Sequence, residues 1–262
     1  MRACYHTHTK RCHHAFGEDE EYVISAIARG VQILGFSCHA PMHYPGGYES
    51  YYKMAPSELC EYVRSVLALK EKYKDKIEIK LGLETEYYPE LHRDSIAFWQ
   101  EYPIDYLILG QHFIDKEYDE KKDPAPRASD DKVRVRAYVD RVVAAMELGI
   151  FTVLAHPDLI NYTGGDSEFY DAEMRRIIES AIKNGVYLEY NLLGQSDKRA
   201  YPVKRFWQLV AEMGASVILG CDAHSPDRVA RVDEVEIAHK FLSSLGIVPA
   251  DEVVLVPISA VK

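Results

Sequence analysis

Nine side chains able to bind a metal recur at the ends of successive apolar runs: His6, His8, His14, His39, Glu84, His112, His156, Asp222 and His224. Seven of the chain's eleven histidines fall in this set. One histidine taken alone is more often a hydrogen-bonded structural residue, but that reading would need seven independent coincidences here. The fold must therefore bring distant strand ends to one point, and the side chains gathered there imply a polynuclear metal site.

The runs themselves say how. Short β-like segments near residues 2–6, 31–37, 77–84, 105–110, 150–155, 186–191 and 216–220 alternate with amphipathic stretches over 19–29, 57–73, 92–101, 131–148, 168–184, 203–213 and 227–245. Such alternation is the signature of parallel strands joined by crossover helices, and it predicts an α/β fold of seven βα units. Pro56 and Ser57 mark the start of the second helix, followed by Leu59, Val63, Val66 and Leu67 at helical spacing. The metal-capable residues lie at or just past the C-terminal ends of six strands, and Asn191 ends the remaining one. In a barrel of parallel strands that is the face where loops converge and active sites form.

No Gly/Ser/Pro-rich linker or internal repeat divides the 262 residues, so one domain over 1–262 is expected, and 47% hydrophobic residues suffice for its core. A formal charge of −10 argues against a general nucleic-acid binder, which needs clustered Lys and Arg to displace counterions. The N-terminus lacks an apolar signal region, and no stretch approaches the roughly 20 apolar residues of a membrane span. Five cysteines, odd in number and without CxxC spacing, fit reduced thiols. A cytoplasmic protein is expected, with no membrane partner; a homodimer is neither required nor excluded.

The sharpest local signal is His6-Thr7-His8, because strand residues i and i+2 point the same way and can chelate one ion together. Alone it is weak. It gains force from Cys38-His39, Gly82-Leu83-Glu84, Gly110-Gln111-His112, Ala155-His156-Pro157 and Cys221-Asp222-Ala223-His224. His92 and His239 read as helix-surface residues. The loop over 39–56, rich in tyrosine and containing Pro45-Gly46-Gly47, predicts an aromatic rim in which His43 and Tyr44 are candidate substrate contacts, as is Phe113 beside His112. Residues 113–131 are either a lid or a solvated loop. Arg134, Arg136 and Arg141 read as a solvated helix face, and Arg127 precedes them on the loop.

In this order the motifs resemble the polymerase and histidinol phosphatase (PHP) superfamily, from His6 to His224. The resemblance implies a distorted seven-stranded (β/α)7 TIM-like barrel with two or three divalent ions, zinc, manganese or iron. It implies one ion on His6, His8, Glu84 and Asp222, with Glu84 bridging to a second on His112 and His156. His14, His39 and His224 would hold a third, His14 being preferred to His13 because it lies six positions after His8. Two departures from the family pattern stand out: Cys38 where many members carry an acidic residue, and His14 where others carry Asp.

The segment Asn191-Leu192-Leu193-Gly194, Arg199, Tyr201-Pro202 and Phe206-Trp207 resembles the histidinol-phosphate phosphatase branch, as do His13-His14-Ala15 and His39-Ala40-Pro41-Met42. The implied reaction is hydrolysis of L-histidinol phosphate, a small phosphorylated substrate, to L-histidinol and phosphate in histidine biosynthesis. In it, two ions bridged by Glu84 lower the pKa of a shared water from about 15.7 toward about 7 for attack as hydroxide. Arg199, with Lys198 in reserve, would grip the phosphate, and Asp222 would handle protons as well as metal, with His13 or His43 as the alternative. Glu86, Asp115 or Glu117 would pair with a substrate ammonium. Two other readings stay open: a phosphoesterase of the same family acting on nucleotide or sugar phosphates, and a noncatalytic metal-bound module.

Overall fold

The computed structural model describes residues 1–258. Seven strands, β1 (Ala3–Cys4), β2 (Ile33–Phe36), β3 (Glu78–Thr85), β4 (Tyr106–Leu109), β5 (Val153–Leu154), β6 (Tyr187–Asn191) and β7 (Val217–Gly220), pair in chain order. Every pairing is parallel. Between β1 and β7 a backbone bridge joins Thr7 and Ala223, with His8 N–H donating to Ala223 O at 2.9 Å. The sheet thus curls into a nearly closed barrel, its seam drawn together beside the His6 and Asp222 strand ends.

The connecting helices are α1 (Asp19–Ala28), α2 (Leu59–Lys72), α3 (His92–Trp99), α4 (Lys132–Met146), α5 (Ser167–Asn184), α6 (Leu192–Ser196), α7 (Lys204–Met213) and α8 (Val232–Ser244). Helix α4 starts where the Asp131 carboxylate accepts from Val133 N–H, and α5 where Asp166 accepts from Phe169 N–H. Ser57 does not cap α2. A 3₁₀ turn over Pro56–Glu58 precedes that helix, and the Glu58 carboxylate accepts from Ala55 N–H at 2.8 Å. The helix expected over 227–245 is divided: a 3₁₀ turn at Pro226–Arg228 is followed by Ala230 at φ +48°, outside the helical region, before α8 begins. The short α6 was not expected from the sequence. Asn191 caps it, accepting from Gly194 N–H at 2.8 Å.

The barrel interior below the strand ends is apolar: Ala3, Tyr5, Ile33, Tyr106, Ile108, Val153, Ala155 and Ile218 pack there. Tyr106 occupies the centre, donating to Tyr5 O at 2.5 Å. A Cβ on Gly35 or Gly82 would stand 2.2 or 2.4 Å from Tyr106 side-chain atoms, so these strands admit the ring because they carry glycine there. No helix among the described residues is long and apolar enough to cross a membrane.

Candidate metal centre

Above the Tyr106 layer the interior changes from apolar to ionisable. Glu84, at the end of β3 and 1% exposed, lies among five imidazoles. Its Oε2 is 2.9 Å from His39 Nδ1 and 3.5 Å from the Nε2 atoms of both His6 and His8. Its Oε1 is 3.2 Å from His156 Nε2 and 3.6 Å from His112 Nε2. One carboxylate thus presents a separate oxygen to each of two imidazole groups. Gly110 makes room for it, since a Cβ there would come within 2.0 Å of Glu84 Oε1.

His8 Nε2 is 3.1 Å from His6 Nε2 and 3.2 Å from Asp222 Oδ1, so these three form one compact donor set. At the mouth of the site His14 Nε2 and His224 Nε2 lie 2.9 Å apart. His39 stands between regions: its ligand atoms group with Glu84 and His112 on one side and with His8 and His224 on the other. His13 points elsewhere, exposed, with its Nε2 3.7 Å from Glu58.

Hydrogen bonds fix the orientation of several rings. His6 Nδ1 donates to Glu189 Oε1 at 2.7 Å and His112 Nδ1 faces Glu86 Oε1 at 3.1 Å. His14 Nδ1 donates to Cys12 O at 2.7 Å and His224 Nδ1 to Asp222 O at 2.9 Å. In the neutral form of each ring these bonds leave Nε2 with its lone pair turned inward. The facing nitrogens of His14 and His224 therefore need a cation between them, a proton or a metal ion. Glu84 Oε2, although buried and 2.9 Å from His39 Nδ1, is not aligned for a hydrogen bond with it. Imidazole and carboxylate donors in this set suit zinc and neighbouring transition ions.

Electrostatics agree with a site built for cations. Burial opposes ionisation of Glu84 and Asp222, yet the surrounding histidines hold both carboxyl groups well below their usual range. Burial likewise opposes a charge on His6, but Glu189, Asp222 and Glu84 outweigh it and raise the pKa. His39, desolvated among other imidazoles, drops to about 4. The backbone is left-handed at His156 (φ +32°) and Asp222 (φ +49°), a conformation costing about 1–3 kcal/mol per residue that persists where surrounding structure imposes it.

A family model described as the PHP domain matches residues 5–192. The chain belongs to the PHP family. Among curated PHP-like relatives, the probable histidinol-phosphatase of Deinococcus radiodurans is 27% identical over 230 residues, covering 86% of each chain. That of Schizosaccharomyces pombe is 27% identical over 266 residues, covering 92% of this chain and 86% of that protein. A crystal structure of histidinol phosphate phosphatase from Lactococcus lactis, complexed with zinc, L-histidinol and phosphate, superposes with a TM-score of 0.75 at 18% identity. The superposition covers 97% of this chain and 98% of that one. It shows that the two share the PHP barrel.

Six of the nine ligand candidates, His14, His39, His112, His156, Asp222 and His224, line one cleft of about 840 Å³, whose walls also include Tyr51, Tyr52, Phe113, Leu193, Arg199 and Tyr201, while His6, His8 and Glu84 are buried and outside its lining. Phe113 and Arg199, two of the expected substrate contacts, line this cleft. His43, Tyr44 and Lys198 require correction as substrate contacts. His43 is exposed and packs on Phe98, 4.8 Å between ring centroids, and Lys198 is exposed outside the cleft lining. Tyr44 stands behind the wall, its hydroxyl 3.1 Å from Lys53 Nζ. Residue identity marked an aromatic rim but could not tell which side of it faces inward.

Glu86 and Glu117 also differ from expectation. Both are buried against the ammonium of Lys53, itself 3% exposed, so their cation is internal. Asp115 pairs with Arg141 at 3.4 Å. Arg134 is 5% exposed rather than solvated; it bonds Asp123 and the carbonyls of Pro124 and Ala125, anchoring the base of the loop over 113–131. Arg127 is exposed and pairs with Asp123 at 2.9 Å.

Glu189, which the sequence did not single out, is the carboxylate that holds the candidate ligands in place. Beyond His6, it accepts from His156 N–H at 3.1 Å and from Asn191 Nδ2 at 2.9 Å, and Asn191 Nδ2 also reaches Asp222 Oδ2 at 3.1 Å. Gly220 gives it space, as a Cβ there would fall 1.7 Å from Glu189 Oε1. A glutamate at the centre of a buried strand beside such a glycine was the available signal. The Cys38 departure also has a structural counterpart: His8 Nδ1, buried, has no hydrogen-bond partner.

Proposed function

We propose that this PHP protein is a metal-dependent phosphoric monoester hydrolase releasing inorganic phosphate from L-histidinol phosphate. The observation that carries the reading is Glu84, one buried carboxylate whose two oxygens serve two imidazole groups, as a bridging ligand must. His6, His8, Glu84 and Asp222 would hold one ion, Glu84, His112 and His156 a second, and His14, His39 and His224 a third. His39 is close enough to Glu84 and His112 to serve the second as well. Bound zinc, manganese or iron would supply Lewis acidity toward phosphate and a water of lowered pKa. The names of relatives aligned over most of their length support histidinol phosphate as the substrate.

The chain's own groups divide the remaining work. Because its carboxyl group is held ionised, Asp222 has no proton to donate to the leaving alkoxide and is suited to ligate an ion and to accept a hydrogen bond from the attacking water. Arg199 lines the cleft with Nη1 3.1 Å from the Tyr201 hydroxyl and Nη2 3.5 Å from Asp197, and would exchange the long, exposed Asp197 pair for the phosphate. Tyr52 and Phe113, 6.0 Å apart, form an apolar wall suited to an imidazole ring. Arg199→Ala should raise KM about tenfold, the loss of one charge-assisted contact, with metal content unchanged; an unaltered KM would remove Arg199 from the site.

The test is steady-state phosphate release from L-histidinol phosphate against a panel of nucleotide and sugar phosphates, with and without prior chelation. A kcat/KM for histidinol phosphate about a hundredfold above the panel, abolished by chelation, is expected. Comparable rates across the panel would keep the phosphatase and reject the substrate. No release from metal-loaded protein would reject catalysis.

A further inference from the structure

One buried cluster adjoins the centre without belonging to its ligand set. Lys53 comes from the loop over 39–56, Glu86 follows β3, and Glu117 comes from the loop over 113–131. The three side chains are 3%, 1% and 0% exposed. Lys53 Nζ bonds both carboxylates and stands 5.6–5.8 Å from the ring centroids of Tyr44, Tyr52 and Tyr88. Desolvating an ammonium costs several kcal/mol, and the chain meets that cost at a particular place. Glu86 Oε1 faces His112 Nδ1 at 3.1 Å and accepts from its backbone N–H at 3.3 Å. Glu117 Oε2 accepts from the hydroxyl of Tyr52, a wall residue of the cleft, at 2.8 Å.

Lys53 thus joins two paths. Through Glu86 it reaches a ring that faces the bridging carboxylate, and through Glu117 it reaches the surface that receives the organic part of a substrate. Apart from His112 itself, Lys53 is the one basic side chain that pairs with Glu86 or Glu117 among the ion pairs of the described residues. Without it, Glu86 Oε2 would keep only the neutral Tyr88 hydroxyl as a partner among the described residues, and the two loops would lose the charge that joins Glu86 to Glu117.

We propose that Lys53 is a positioning residue of the metal centre, clamping Glu86 so that His112 presents Nε2 to the ion and clamping Glu117 so that the Tyr52 wall stays in register with it. The inference rests on the metal reading above, and its test separates the two. Zinc alone is the probe, in competition with a chromophoric chelator, with folding followed by circular dichroism. Lys53→Met should weaken one zinc by about 10–100-fold, the range for losing the partner that orients a ligand. In a Glu86→Ala background, where the link is already cut, Lys53→Met should add less than about twofold.

If the single variant fails to fold, Lys53→Met with Glu117→Gln keeps the cluster's net charge, one positive and two negative groups giving way to Glu86 alone, and should show the same zinc loss. Zinc affinity equal to the parent's in either folded Lys53 variant would overturn the proposal, as would full multiplicative losses with Glu86→Ala. A parent chain that binds no zinc would overturn the metal reading and this inference together.

Discussion

The two ends of the histidine cluster are built differently. At the inner end His6, His8 and Glu84 are about 1% exposed, and the ring of His6 is held by Glu189, a carboxylate that also reaches His156 and Asn191. At the outer end His14 is exposed and the His224 side chain is 20% exposed, and both rings are held by backbone carbonyls of their own loops. A carboxylate partner makes imidazole a stronger donor than a carbonyl does, and a buried donor set gives up its ion only by opening the barrel. Under the proposed metal reading, the contrast would make an inner ion a fixed part of the fold and leave an outer one to exchange with solvent beside the cleft.

The strongest way to break this contrast is Glu84→Gln, which should remove ions from the inner end and lower phosphate release about a thousandfold, as losing several kcal/mol of charge stabilisation implies. Near-normal turnover with full metal content would refute the bridging role. Next comes Glu189→Gln, expected to weaken the innermost zinc about 10–100-fold while sparing the outer one. Equal loss at both ends, read by metal analysis after graded chelation, would erase the distinction. His14→Ala should release only the most labile ion and cost about tenfold in affinity, whereas His13→Ala should change nothing; the reverse result would exchange the two residues.

The smallest effect on catalysis concerns Asp158, 2% exposed and accepting from Val203 N–H away from the ligand set, whose carboxyl is pushed up to about 7 by burial. The folded state binds this proton more tightly than the unfolded chain, whose value is 3.8. Its stabilising contribution is therefore full below about pH 4 and lost as pH rises through about 7, on the order of a few kcal/mol. Thermal unfolding of Asp158→Asn should lack that slope. A slope equal to the parent's would assign it to another group.

The seven-strand order and the ligand candidates were legible because strand period, helix period and metal-capable side chains all punctuate the chain at the same places. Asp222 and His156 could be placed from strand ends alone. The groups behind them could not. Glu189 lies in a strand reading Tyr-Leu-Glu-Tyr-Asn, where an alternating glutamate looks like a solvent-facing residue until the barrel closes around it. Lys53, Glu86 and Glu117 come from three separate segments, and nothing local to any of them announces the pairing. Arg134 was read as solvated for the same reason, since the loop that buries it folds back from outside the helix.

The bridge between Thr7 and Ala223 has a consequence for how the protein is made. His14 and His224 are 210 residues apart in sequence yet face each other, so the first histidines to leave the ribosome wait through most of synthesis for their last partners. Under the proposed metal reading, ion capture by the complete cluster would then be a late event, one that reports closure of the whole barrel instead of starting it.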